Sequence, residues 1–215
     1  PLPPLPEQKK IAEVLSSVDE SIRATQAVIE QAKVLKQGML NQLLTKGIGH
    51  NKFKQTEIGE IPEEWEVKNL GALCSVKSGY AFPSHLFKIS GDIPIIKISN
   101  VSELSISLDE GTSFINEDEI VDKMRSFIAR KNDILIAMSG ATTGKLGRYQ
   151  HAEPALVNQR VGLFSITQPN RLISDYLWQF LLFSSQSITT MAYGGAQPNI
   201  SSDKIIIDVG ANIGD

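Results

Sequence analysis

From Ile11 to Leu43 apolar residues recur at alternating steps of four and three, and this seven-residue period constrains the fold more than any other feature of the chain. Leu15, Ile22, Ile29, Lys36 and Leu43 form one row, while Ile11, Val18, Thr25, Ala32 and Met39 form the other. Two such rows fall on one side of an α-helix and make the seam of a coiled coil. Val14, Val28 and Leu35 widen one flank, so the stripe is broader than a strict two-stranded seam and is free to touch the chain's own domain as well.

The residues bounding this pattern predict one unbroken helix within 1–47. Pro6 suits the first turn, where its missing N–H is no loss, and Glu7 favours the positive end of the helix dipole. Lys46 stands in the last turn and Gly47 is the expected left-handed cap. Two features work against regularity: no Ser, Thr, Asp or Asn caps the start, and Gly38 costs about 1 kcal/mol relative to Ala. At roughly 1.5 Å per residue the rod is about 60 Å long, far more than a domain of this size needs for its own core. It calls for a partner, either as a spacer that measures a distance or as a docking surface.

The chain has 215 residues, enough for one substantial core with an appended helix. A net charge of -3 and a pI near 5.7 exclude attraction to nucleic acid through bulk charge, though not through a local basic face. Cys74 is the single cysteine, which excludes an internal disulfide, suits a reducing cytoplasm and implies a buried apolar role. No signal peptide is visible and no apolar run can span a bilayer; the stretch 176–183 is short and broken by Gln179.

Downstream of the helix the expected organisation is a linker at 48–62, a globular domain at 63–209 and a Gly-rich tail at 210–215. Trp65 is the expected apolar anchor. Strands are predicted at 74–77, at 92–101 with Pro94 at its start or on an edge, at 133–138, within 155–166 and at 205–209. Helical spacing marks 117–127 and 173–188. Between them, 139–148 reads as a small, flexible, basic loop. Strands and helices alternate without an even βαβ rhythm, so the fold class is α+β: a mixed-sheet domain behind a long N-terminal coiled-coil helix.

Catalytic chemistry finds no residue set. Gly140 to Lys145 fails as a phosphate-binding loop, because three residues separate the glycines where four are needed and Leu146 stands where Ser or Thr should bind magnesium. His50, His85 and His151 lie far apart and beside no Cys pair, so no metal site is expected. There is no amino-methyltransferase signature and no nucleophile elbow. Glu63-Glu64 and Asp118-Glu119 read as solvated faces.

Four stretches carry a family likeness: 3–11 leading into the long helix; 58–65 with Leu70-Gly71; Asp133-Ile134-Leu135 followed by the loop 139–147 and then Asn158-Gln159; and 195–200. In this order and at these distances the chain resembles a specificity subunit of a type I DNA restriction-modification system. The resemblance covers nearly all of it. Such subunits usually carry two target-recognition domains and two long helices that pair antiparallel, setting the distance between the halves of a split DNA site. Here there is one of each, and the Pro-Pro-Leu motif that follows a recognition domain in the family opens this chain. The likeness therefore implies a half-length form acting as a homodimer, which would read two identical, inverted half-sites. An interrupted reading frame, with the Gly-rich tail as its scar, is the other reading of the same departure.

The resemblance implies double-stranded DNA, methyltransferase subunits and restriction subunits as partners, in the cytoplasm. This chain would hold no cofactor; S-adenosylmethionine, ATP and Mg would belong to the partner subunits. Candidate DNA contacts are Lys77, Tyr80, Lys97, Asn100, Arg125, Arg130, Thr142, Thr143, Lys145 and Arg148, residue types able to reach phosphates or base edges. The loop 139–148 is expected to position the backbone, and the segments 77–88 and 121–130 to read bases. Ile11, Leu15, Val18, Ile22, Ile29, Ala32, Met39 and Leu43 are the expected dimer seam. The alternative is a non-catalytic coiled-coil adaptor or decoy that binds methyltransferase subunits without reading DNA.

Overall fold

The computed structural model describes residues 2–193, 199–203 and 205, together with the backbone of 210–214. The chain divides into two compact units, Pro1–Ile48 and Gly49–Asp215.

The first unit is a single helix, α1, Leu5–Lys46. Pro4 occupies the N-cap without a side-chain capping bond; instead the Gln8 amide reaches back and donates to the Pro3 carbonyl at 2.7 Å. The far end closes on Gly47, whose φ of 67° is left-handed and whose N–H donates to the Leu43 carbonyl at 3.2 Å. The seam residues lie on the helix surface, with exposures from 41% at Leu43 to 60% at Leu15. In a helix of 42 residues such a stripe needs burial against something to hold the structure, since propensity alone gives marginal helices in water.

The second unit begins with a hairpin, β1 (Phe53–Thr56) and β2 (Gly59–Pro62), in the segment expected to be linker. Strand β3 (Trp65–Asn69) pairs antiparallel with the backbone of β13 (Gly210–Gly214), within the stretch read as tail. Two sheets form the body. One has the order β4 (Cys74–Ser78), β12 (Val161–Ile166), β9 (Ile134–Ala137), β10 (Leu146–Arg148), β6 (Leu104–Ser105). The other has the order β7 (Ser113–Ile115), β5 (Ile93–Ile96), β11 (Ala155–Val157), β8 (Ile128–Ala129). Helices α2 (Asp122–Arg125), α3 (Ser174–Phe183) and α4 (Ser185–Ala192) accompany them.

The two-residue period of the strands sorts side chains into layers. Along β9, Ile134 and Ile136 join Leu177, Leu181 and Ile188 of α3 and α4, whereas Leu135 and Ala137 turn the other way to meet Ile96, Tyr149, Val157 and Val161 between the sheets. Along β11, Leu156 leaves that middle layer for a third cluster with Phe82, Ile95, Ile115 and Met124. Each fully buried Leu or Ile contributes about 1.5–3 kcal/mol. Cys74 lies in the first layer, and burial pushes its thiol up to about 12.

Several elements differ from their sequence-based expectation. Strand β5 stops at Ile96, because Ile98–Asn100 forms a 3-10 turn held by the Asn100 side-chain oxygen, which accepts from the Lys97 N–H at 2.9 Å. Pro94 is the second residue of β5, in keeping with the expected place at a strand start, and the strand itself is interior to its sheet. Its missing N–H is tolerated because the opposite residue, Phe114, directs both its backbone groups to Lys88 instead. The single helix expected over 173–188 is two, divided at the Ser184-Ser185 pair. Ile205 is helical, with its N–H donating to the Ser201 carbonyl at 3.2 Å, so the last expected strand does not start there; 206–209 lie outside the described residues. Among the described residues no helix is long and apolar enough to cross a membrane.

Candidate nucleic-acid interface

Segments distant in sequence converge where β4, β5, β9 and β11 end. After β4, the Gly79 and Tyr80 N–H groups donate to the Val161 and Val157 carbonyls at 2.9 and 2.8 Å. Just beyond β11 the Asn158 N–H donates to the Ile96 carbonyl at 3.0 Å, and beyond β9 the Met138 N–H donates to the Arg160 carbonyl at 2.9 Å. Thr142 Oγ1 donates to the Ile98 carbonyl at 3.1 Å. Residues that follow α4 join them: the Ile200 N–H donates to the Met138 carbonyl at 3.0 Å, and the Tyr193 hydroxyl to the Ala141 carbonyl at 3.4 Å.

The charge of this end follows from its sequence. Segments 77–82, 96–101, 138–145 and 157–161 contain Lys77, Lys97, Lys145 and Arg160, and not one Asp or Glu. An acidic chain thereby concentrates positive charge on a local face, which is what a polyanion would sense.

The loop 139–145, expected to be flexible, is closed by its own bonds. The Thr143 N–H and hydroxyl both donate to the Gly140 carbonyl, the Gly144 N–H reaches the Ala137 carbonyl at 2.8 Å, and the Lys145 N–H reaches Thr142 at 3.0 Å. Gly140 and Gly144 take the left-handed φ values of 81° and 86° that this turn requires. Thr143 is buried within the turn and is unavailable to a ligand. Thr142 is half-buried, while Lys145 is exposed and its ammonium has no hydrogen bond or ion pair among the described residues.

The two segments expected to read bases pack against each other. Lys77 Nζ donates to the Ser126 carbonyl at 3.1 Å and lies 4.2 Å above the Phe127 ring. Tyr80 packs at a tilt against Phe127, 5.4 Å between ring centres, and meets Phe82 edge-on, with Lys123 Nζ 5.6 Å from its ring centre. Lys88 binds Glu119 at 2.7 Å, a hydrogen bond that holds the Glu119 carboxyl below its usual range. Arg125 is exposed and loosely paired with Glu117 at 3.5 Å.

Other candidates are placed differently. Lys97 is half-buried and donates to Ser113 Oγ at 2.9 Å. Asn100 is 2% exposed, and its amide nitrogen donates to the Ser107 carbonyl and Thr112 Oγ1 at 2.9 and 3.1 Å. With its oxygen on the Lys97 N–H, it holds a turn and is removed from the candidate contacts. Arg148 does not share a face with Lys145: it lies at the other end of β10, with Nη2 on Asp175 Oδ1 at 2.6 Å. Arg130 is at that same opposite end, its backbone N–H donating to Asp133 at 2.7 Å. Burial raises the Asp133 carboxyl, against the pull of the Arg130 bond and charge.

Gln159 and Arg160 are the residues that the candidate set lacked. Both are exposed on the turn between β11 and β12, at the cationic end. Their adjacency to Asn158 was the available signal, but only the sheet pairing brings that turn beside the loop 139–145. Among the described residues, no group of three or more His, Cys, Asp or Glu could hold a metal ion.

Residues 62–206 match the model of the type I restriction modification DNA specificity domain. The chain belongs to this family. The chain is 35% identical over 213 residues to the type I restriction enzyme MjaVIII specificity subunit of Methanocaldococcus jannaschii, covering 96% of this chain and 49% of that protein. It is 29% identical over 163 residues to the EcoBI specificity subunit of Escherichia coli, covering 68% of this chain and 33% of that one. The chain thus spans about half, or less, of the length of these relatives. The fold is shared with the HsdS subunit from Thermoanaerobacter tengcongensis, at a TM-score of 0.60 and 17% identity, over 100% of this chain and 48% of that one. A chain from a structure of type I R-M complex assembly gives a TM-score of 0.62, also at 17% identity, over 99% and 48%.

Proposed function

We propose that this chain supplies DNA-sequence specificity to a type I restriction-modification complex, acting as a homodimer whose chemistry belongs to partner subunits. The observation that carries the reading is the convergence of four segments, 77–82, 96–101, 138–145 and 157–161, that hold four cations and no acid in a chain whose net charge is -3. In this reading the loop 139–145, with Lys145 and Thr142, holds the phosphate backbone. The packed pair of segments around Lys77, Tyr80, Lys123 and Arg125 presents side chains to base edges.

The exposed seam of α1 supports pairing. Two copies joined along it would be related by a two-fold axis and would read identical, inverted half-sites, with the paired rods fixing the spacer. The same helices would offer a surface to methyltransferase subunits that use S-adenosylmethionine, and through them to an ATP-driven restriction subunit. The cytoplasm, where DNA and these subunits meet, is the place of action.

Binding of the chain, together with its methyltransferase subunit, to a duplex pool of random sequence tests the function. Affinity should fall with salt, the logarithmic slope being about -0.9 for each phosphate contact. Absence of duplex binding at any salt, with methyltransferase bound normally, would leave an adaptor that does not read DNA.

A further inference from the structure

We propose that Arg160 and Lys145 form a two-cation grip on the DNA backbone, one on each side of the end of β9. The inference rests on the DNA-reading function above and adds to it a residue, Arg160, and a geometry.

Two consecutive amides set that geometry. The Ala137 N–H donates to the Lys145 carbonyl at 3.0 Å, and the next amide, Met138 N–H, donates to the Arg160 carbonyl at 2.9 Å. Since β9 lies between β12 and β10, the two cations flank it at one inter-strand step each, roughly 10 Å apart by backbone. Residues 139–141 between them are Ser, Gly and Ala, which add no bulky side chain of their own, and the exposed Tyr193 lies beside them with its hydroxyl on the Ala141 carbonyl.

These two cations also differ from their neighbours in being unengaged. Lys77, Lys97, Arg125 and Arg148 each have a hydrogen-bond partner within the chain. Arg160 and Lys145 are exposed, and neither side chain makes a hydrogen bond or ion pair among the described residues. Side chains anchored through their own backbone carbonyls, with free heads on segments that carry no Asp or Glu, are placed to take charge from outside. The planar guanidinium of Arg160 suits two oxygens of one phosphate, and the Lys145 ammonium acts as a point charge on another.

The test is a salt titration of DNA binding by the full chain with its methyltransferase subunit, using Arg160→Gln, Lys145→Gln, the double variant and Lys131→Gln as control. Lys131 is exposed in the turn before β9, at the opposite end. Each single variant should reduce the magnitude of the logarithmic salt slope by about 0.9, and the double by about 1.8. Raising salt from about 50 to about 200 mM would then weaken binding by one fewer factor of about 3.5 for each cation removed. The loss should be the same on a selected sequence and on bulk duplex, with Lys131→Gln and all melting temperatures unchanged. A wild-type slope in Arg160→Gln, or a loss confined to the selected sequence, overturns the grip while leaving the function standing. A wild-type chain whose binding shows no salt slope removes the function itself.

Discussion

Gly79 lies so close to the backbone of Val157 that a Cβ on it would fall 2.2 Å from the Val157 carbonyl oxygen. The Tyr80 N–H bonds that same carbonyl at 2.8 Å, so the contact joins the two sheets at the cationic end. A side chain here must push backbone aside, and backbone cannot rotate away. Gly79→Ala should therefore cost about 2 kcal/mol or more, read as a shift in the denaturant midpoint. An unchanged midpoint would show that the sheets tolerate separation at this point.

Replacing Ile22 and Ile29 with Lys tests the seam. Their exposures of 51% and 48% mean that neither is part of a core within the chain, so the globular unit should melt as before. Sedimentation should show the dimer lost. A dimer that persists would place the interface elsewhere.

The ion pair of Arg148 with Asp175 should contribute little, because the Asp175 side chain is 76% exposed. Asp175→Asn is expected to destabilise by less than about 1 kcal/mol in thermal melts. Arg148→Gln should leave the salt slope of DNA binding unaltered, since Arg148 lies at the end of β10 away from Lys145. A slope reduced like that of Lys145→Gln would return Arg148 to the interface.

Cys74 should resist alkylation in the folded protein at pH 8 and react once the chain is unfolded. Burial alone pushes its thiol from 9.0 to about 12, so the reactive thiolate is scarce below that range. Burial and the Glu153 charge likewise raise the Tyr149 hydroxyl from 10.0 to about 12. For both groups the folded state keeps its proton longer than the unfolded state. Their contribution to stability is therefore full below pH 9 and is lost as pH rises towards 12, a decline that chemical denaturation across that window would reveal. Rapid labelling of native Cys74 at pH 8 would mean that its layer opens readily.

The long helix was legible because a seven-residue period repeats many times and is closed by Gly47. Strand β9 was legible as a buried apolar run, β4 as a short strand-like run, and β11 and β12 from alternation within 155–166. Pairing was not, since the bond from Met138 to Arg160 joins residues whose sequence neighbourhoods give no hint of each other. The same limit misplaced Arg148, which sits three residues past Lys145 in sequence but at the other end of β10 in space. Asn100 illustrates a different failure. A polar side chain beside an apolar strand has the composition of a base-reading residue, and only its three internal hydrogen bonds reveal it as a turn holder.

Mapping of methylated bases in the DNA of cells that express this chain with its methyltransferase subunit tests the symmetric dimer most directly. Two copies of one recognition domain should yield a bipartite motif whose halves are identical and inverted around a fixed spacer. A bipartite motif with two unrelated halves would contradict the proposed assembly, as would methylation that does not depend on this chain.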